Sequence, residues 1–444
     1  MKDQSPWIVG VLLIAGSAYA QTEPTPPAAP PAADAPAPAL APATLAPEAA
    51  PPAPAAAPPS DANPVVAPAP PPLASAPAAP PPAPHGRTPA APLKIDTPSS
   101  SIKFGMLLQP QYEAIGSPAL DGMSQNLFLR RTRVLVGGTL FGGDFEYFVD
   151  TDFPDLFKSN PSTGVRNTPG LNIQDAYFTV KAAGDLFKID TGYMLPPLSH
   201  NAVQGATSLY GWDYFANTFR HNQVFNNDTT APAVPANPVG RDLGVQLRGL
   251  LANGLLEYRL GVFQGRRSAA SATDTGSRNF FRVAGRLQLN LLDPEPGFFY
   301  AGTYLGAKKI LSLGASYDFQ DSYKHISGDA FLDLPVGPGV LTAQVNVVHW
   351  DGDDWVPLLK QTAFMGETGY LIDAVNLSPI FRFEKRWVDG ETAGAPDETR
   401  VGGGLAFWPH GHTFNVKAFF MHIDPMPAVH AYNAFNLQAQ FFVY

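Results

Sequence analysis

From Ile102 onward the chain breaks into short segments in which apolar and polar side chains alternate. Ile102, Phe104, Met106 and Leu108 fall on one face of the first, with Lys103, Gly105, Leu107 and Gln109 on the other. Phe145, Tyr147 and Val149 likewise oppose Glu146 and Asp150, and Leu243, Val245 and Leu247 oppose Asp242, Gln246 and Arg248. Further along, Phe281, Val283, Leu287 and Leu289 oppose Arg282, Arg286, Gln288 and Asn290. Ala343, Val345 and Val347 oppose Thr342, Gln344 and Asn346, and Phe435, Leu437, Ala439 and Phe441 oppose Asn436, Gln438 and Gln440. A period of two residues predicts strands with two unlike faces. About sixteen segments of roughly 9–13 residues follow it, the length a tilted strand needs to cross a bilayer. No convincing 3.6-residue period competes, which argues against a helical or α/β domain. The expected fold is all-β: a transmembrane antiparallel β-barrel of about sixteen strands over residues 94–444.

The connections carry a second regularity. Gly142-Gly143, Ala183-Gly184, Ala252-Asn253-Gly254 and Pro409-His410-Gly411-His412 read as short turns. Between them come longer polar loops near 114–126, 154–171, 195–241, 266–278, 351–360, 388–397 and 424–433. Such alternation of turns and loops is the habit of outer-membrane barrels. Two places break it: a short loop at 319–323 and a long turn at 292–307.

The segment FLRRTRVLV (128–136) sets three arginines in an apolar strand. Alternation puts Arg131 and Arg133 on one face and Phe128, Thr132, Val134 and Val136 on the other. A lipid-facing arginine at the bilayer midplane costs about 2–4 kcal/mol, so the polar face must meet water or counter-charges. Arg130 shares the parity of Val134, which places it near an interface or beside a bulge.

The chain opens MKDQSPWIVGVLLIAGSAYAQ, where Lys2, the apolar run from Trp7 to Ala15 and the Ala18-Tyr19-Ala20 site predict a secretory signal peptide over 1–20. Residues 21–93 are almost entirely Pro and Ala and hold most of the 48 prolines. Such a segment cannot bury enough surface to fold and is expected to be disordered and extended. There are no cysteines, which leaves neither a disulfide framework nor a thiolate metal site. The last residues, NLQAQFFVY, read as a terminal strand with an aromatic at its close, suited to outer-membrane assembly machinery.

FLRRTRVLVGGTLFGGDFEYFVDTDF (128–153), NIQDAYFTV (172–180) and DTGYMLPPLS (190–199) together resemble the phosphate-selective porins O and P of Gram-negative outer membranes. Two further blocks extend the resemblance, RDLGVQLRGLLANGLLEYRLGVFQGR (241–266) and DPEPGFFYAGTYLGAKKILSLGASYDF (293–319), so that it covers roughly 100–444. The resemblance implies a sixteen-stranded barrel, usually a homotrimer, with loop three folded into the pore and passive diffusion of anions. It also implies a ladder of arginines and a cluster of lysines around the constriction. The corresponding loop, 195–241, gives Tyr210, Trp212, Asp213, Arg220, His221 and Arg241 as constriction candidates. Its only cations are Arg220 and Arg241, and Met194 stands where the family often has a basic residue. The scaffold pattern is kept without an evident phosphate site.

The formal net charge is −9. Taking away the 2 basic and 5 acidic residues before Lys94 leaves 27 against 33, or −6, for the barrel region. Alternation brings to the pore face Lys103, Arg131, Arg133, Lys188, Arg248, Arg259, Arg282, Arg286, Arg382, Arg386 and Arg400. Their acidic counterparts are Asp144, Glu146, Asp150, Asp152, Asp190, Asp242, Glu257 and Glu384. Opposed basic and acidic walls would orient polar solutes, and pairwise salt bridges would brace the wall instead. Both arrangements fit the sequence.

The runs Asp150/Asp152/Asp155 and Asp351/Asp353/Asp354 are neighbours in sequence, which does not set two carboxylates across a cleft for acid–base catalysis. No nucleophile elbow, phosphate loop or dinucleotide fingerprint occurs. Basic and acidic residues are interspersed, which disfavours nucleic-acid binding. The expectation is therefore an integral outer-membrane porin of a Gram-negative bacterium, without cofactor, metal or enzymatic chemistry. It would pass small hydrophilic solutes or ions passively, with anions such as phosphate as a candidate class. Its partners would be outer-membrane lipid, the solute and two further copies in a homotrimer. The rival is an exported β-rich carbohydrate-binding protein or enzyme that uses its carboxylates.

Overall fold

The computed structural model describes residues 90–116, 122–160, 163–218, 240–266, 280–356, 358–390, 397–426 and 430–444. The expected signal peptide, all but the last few residues of the Pro/Ala-rich segment, and Arg220 and His221 lie outside them.

The first strands are Leu93–Asp96 (β1), Ser101–Gly116 (β2), Met123–Leu140 (β3), Phe145–Asp152 (β4), Asn172–Lys181 (β5) and Lys188–Met194 (β6). A short helix, His200–Val203 (α1), follows before Asp242–Leu251 (β7), Leu256–Phe263 (β8), Arg282–Asn290 (β9), Ile310–Gln320 (β10) and Tyr323–Val336 (β11). The chain finishes with Gly339–Asp351 (β12), Gln361–Ile372 (β13), Leu377–Val388 (β14), Asp397–His410 (β15), Phe414–Met426 (β16) and Tyr432–Val443 (β17). Each strand from β2 to β17 pairs antiparallel with its sequence neighbours, and β17 pairs back onto β2, so sixteen strands close a barrel. Strand β1 folds back as a hairpin on the start of β2. Closure leaves the sixteen barrel strands no free edge, the condition for a β-structure to sit in hydrocarbon.

The two-residue period sorts the side chains as expected. Met106, Val134, Leu243, Leu260, Ile326, Val347, Phe381 and Phe420 are exposed on the outer face. Gln109, Asp190, Gln246, Gln288, Asn346 and Gln438 are buried on the inner one. An apolar belt outside and a polar face inside is the reverse of a water-soluble barrel and matches a membrane-spanning one.

Tight turns alternate with longer loops at the two ends. In the β3–β4 turn, Gly142 and Gly143 take φ of 72° and 105°, a region in which side-chain-bearing residues are strained. The two irregular connections also occur: only Asp321 and Ser322 join β10 to β11, and 291–309 join β9 to β10 at the turn end.

One assignment is corrected. The register of β2 against β3 slips between Gln109 and Pro110, so that Gln109 faces Arg131 and Pro110 faces Leu129. Arg130 is the extra residue of a β-bulge. Proline lacks the N–H that the ladder would use there, which favours such a slip. The bulge reverses the parity before it, so Phe128 is buried on the inner face rather than set against lipid. Lys158 Nζ lies 4.8 Å from its ring centroid.

Candidate functional site

After β6 the chain leaves the wall at Leu195 and folds into the barrel as far as Thr218, the last described residue of this loop. Leu195, Leu198, Ala202, Val203, Leu209, Tyr210 and Phe215 are all buried. One side of the loop packs with Phe263, Ala284 and Phe298, and another with Trp408 and Phe419. Apolar burial holds the loop inside, and polar anchors set its position.

The anchor nearest β3 is Asp213. Its Oδ1 accepts from Arg131 Nη2 at 2.6 Å, and its Oδ2 accepts from Arg130 Nε at 2.8 Å. The bulge makes this possible, because it turns two consecutive guanidinium groups toward the interior. Arg130 also donates to Asp155 at 3.1 Å, and Arg131 donates to Gln109 at 2.9 Å. Burial works to raise the Asp213 carboxyl, but Arg130 and Arg131 outweigh it and hold the group well below the usual carboxylate range.

Five strands round the barrel from β3, Arg382 of β14 bonds Glu367 of β13 and donates to the main-chain oxygens of Asp213 at 2.8 Å and Tyr214 at 3.3 Å. Its guanidinium lies 4.6 Å from the Trp212 ring and 4.7 Å from Phe215. Lys417 of β16 donates to Leu209 O at 2.6 Å and Gly211 O at 2.9 Å. Glu384 accepts from the Ala216 N–H at 2.9 Å. Tyr210 is buried with its ring stacked 6.3 Å from Trp408.

The remaining interior charges are paired along the wall rather than segregated on opposed faces. Arg133 binds Asp150 at 2.8 Å and Asp152 at 3.1 Å. Arg241, placed by the sequence in the constriction loop, stands just before β7 and binds Asp175 of β5 at 2.9 Å. Arg248 meets Asp190 at 2.7 Å, Arg259 meets Glu257 at 2.6 Å, and Arg286 meets Asp329 at 2.6 Å. Arg282 spans Asp318 at 2.7 Å and Asp242 at 3.4 Å. Lys188 pairs with Asp185 at 2.5 Å, and Glu146 pairs with Lys181 at 2.6 Å. Arg386 is buried and donates to Gln361 at 3.5 Å. Lys103 differs: it makes no ion pair among the described residues, and its Nζ stands 3.8 Å above the Tyr444 ring.

The long turn 291–309 enters the barrel from the end opposite the loop. The two meet where Gln204 and Tyr300 form a parallel bridge. His200 Nε2 lies 3.1 Å from Glu295 Oε2, and its ring stacks between Tyr300 and Phe331 at 4.7 and 4.2 Å. Tyr304 donates to the other Glu295 oxygen at 2.7 Å, and His412 Nε2 lies 3.0 Å from Thr303 O. Beside this junction is a cavity of about 240 Å³ lined by Arg133, Asp150, Arg241 and residues 205–208. A larger one, of about 640 Å³, lies at the turn end.

The structure thus gathers Arg131, Asp213, Trp212, Tyr210, Arg382 and Glu384 around one loop. Glu367 and Lys417 were missed by the sequence reading, as were Glu295 and the inward course of its turn. Both carried a signal, Glu367 as the lone charge of β13 and Lys417 as a cation within an apolar stretch of β16, each at inward parity.

A closed barrel of sixteen strands, apolar outside and polar within, is an integral outer-membrane β-barrel, and an inward-folded loop gives it a porin's architecture. Among solved structures, the anion-selective porin from Comamonas acidovorans aligns over 77% of this chain and 99% of its own, at 11% identity and a TM-score of 0.52. The outer-membrane channel DcaP of Acinetobacter baumannii aligns over 80% and 100%, at 11% identity and a TM-score of 0.48. Salmonella typhi OmpF in complex with daunomycin aligns over 79% and 100%, at 12% identity and a TM-score of 0.46. At these identities the likeness is one of fold, carried among these three by the Comamonas porin. No family model matches the chain, and no curated protein matches it.

Proposed function

We propose that this protein is an outer-membrane channel through which small hydrophilic solutes diffuse passively, with a modest preference for anions. The observation that carries the reading is the loop held inside the closed, inwardly polar barrel by Asp213 and Arg382. The anion preference rests on the turn-end cavity, where Lys94, Lys181, Lys188 and Arg248 are paired with Asp96, Glu146, Asp185 and Asp190, and Lys103 makes no ion pair among the described residues. Arg131, Arg133, Arg241, Arg248, Arg259, Arg282, Arg286 and Arg382 each have a carboxylate partner, which favours a general channel over a dedicated phosphate pathway. The candidate pore-lining residues act in this reading as a wall braced by ion pairs. Export by the 1–20 signal, assembly by the outer-membrane machinery, a homotrimeric state and a spacer role for 21–93 belong to the same proposal.

Liposome swelling tests it. Purified protein should admit small sugars and organic anions at rates that fall with solute size and do not saturate. Vesicles that stay impermeable to all of them would defeat the reading.

A further inference from the structure

We propose that the turn-end cavity binds small aromatic carboxylates. The claim about solute class rests on the channel reading for its transport consequence, while the binding itself rests on the cavity alone.

The cavity's inner wall is a continuous run of rings. Tyr177 stacks on Phe298 at 4.4 Å, and Phe298 meets Phe299 edge-on at 4.9 Å. Phe148 then bridges Phe299 at 6.0 Å and Tyr444 at 5.6 Å, both edge-on. The run joins two parts of the chain, because β4 and β5 supply Phe148 and Tyr177 and the inserted turn supplies Phe298 and Phe299. The wall makes room for it. A Cβ on Gly137 would fall 2.0 Å from the Tyr444 hydroxyl, and one on Gly105 would fall 2.6 Å from the ring.

Against the rings stands one cation whose charge no carboxylate among the described residues satisfies. Lys103 Nζ lies over the face of Tyr444, and Glu146, the nearby acid, is engaged by Lys181. A bound carboxylate would complete Lys103, and its ring would cover apolar surface that water now touches. Inorganic anions gain nothing from the rings, and neutral polyols gain nothing from the lysine. A cavity of about 640 Å³ is within the usual range for small-molecule sites and roomy for a single benzoate-sized solute. Phe148, Phe299 and Tyr444 also line the inner 240 Å³ cavity, so the occupant would stand at the junction of the two spaces.

The test is calorimetric titration of the full chain in detergent with benzoate, acetate, inorganic phosphate and benzyl alcohol. Benzoate should bind about tenfold or more tightly than each of the others, a difference of about 1.4 kcal/mol. Lys103→Gln should remove that advantage and Lys103→Arg should restore most of it. Phe299→Leu should narrow the gap between benzoate and acetate while leaving acetate unchanged. Benzoate no tighter than acetate, or unaffected by Lys103→Gln in a folded barrel, would overturn the site. Bilayer conductance is measured in parallel. Benzoate binding without conductance keeps the site and rejects the channel, and conductance without benzoate discrimination does the reverse.

Discussion

Asp213 of the inserted loop is held by Arg130 and Arg131, consecutive residues of one strand that would face opposite ways without the bulge between them and β2. The loop position and the strand irregularity are thus one feature. Substituting Asp213 by Ala leaves Arg131, itself almost fully buried, without its carboxylate, and breaking such a pair costs about 3–5 kcal/mol. The barrel is expected to fold, because its ladder is untouched. The loop should loosen, raising single-channel conductance and current noise. An Asp213→Ala channel with wild-type conductance and noise would show that this anchor does not set the constriction.

Low pH should spare the same anchor. A carboxyl held below its ordinary value contributes stability that is complete above the unfolded pKa, about 3.9, and is lost as pH falls through the lower folded value. Conductance attributable to the loop should therefore stay constant from pH 8 down to about 4. A rise in noise near pH 5 that Asp213→Asn abolishes would contradict the assignment.

His412 predicts the opposite behaviour at the turn end. Burial and the neighbouring Lys417 lower its imidazole to about 4, while an unfolded histidine titrates near 6.5. The unfolded chain therefore takes up a proton first, and stability is lost as pH falls from about 6.5 toward 4. The thermal unfolding of the barrel, followed by its heat-modifiable mobility, should drop over that window. His412→Gln should flatten the dependence, and a variant that keeps the full drop would place its origin elsewhere.

Arg382 and Glu367 should behave as one unit. Arg382→Ala strands a fully buried carboxylate and removes two donors to the loop backbone, so it should destabilise the barrel by about 3 kcal/mol or more. Glu367→Gln with Arg382→Met should cost less than the sum of the single changes. Arg382→Lys should not rescue, since lysine cannot bond the carboxylate and loop carbonyls while lying flat against Trp212 and Phe215. Additive effects in a double-mutant cycle would refute the coupling.

The wall was legible because a barrel strand has only two faces and the apolar residues choose one. Residues such as Arg248 and Arg286 therefore fell on the correct face from parity alone. Their partners did not, because pairing Arg286 with Asp329 depends on the registers of β9 with β10 and β10 with β11. Pro110 was a readable sign of the bulge, but its effect lands on Arg130 across the ladder, and only the register reveals that. The length of the 291–309 turn was visible, whereas its inward course was not. What draws it inside is contact with the 195–218 loop, two segments far apart in sequence whose composition says nothing of each other.

Passive conduction with a modest preference for anions is read from the reversal potential of single channels in a tenfold KCl gradient. Stepwise, ohmic currents should reverse at a potential displaced toward the chloride equilibrium potential. A reversal potential on the potassium side, or no current from correctly folded protein, would contradict it.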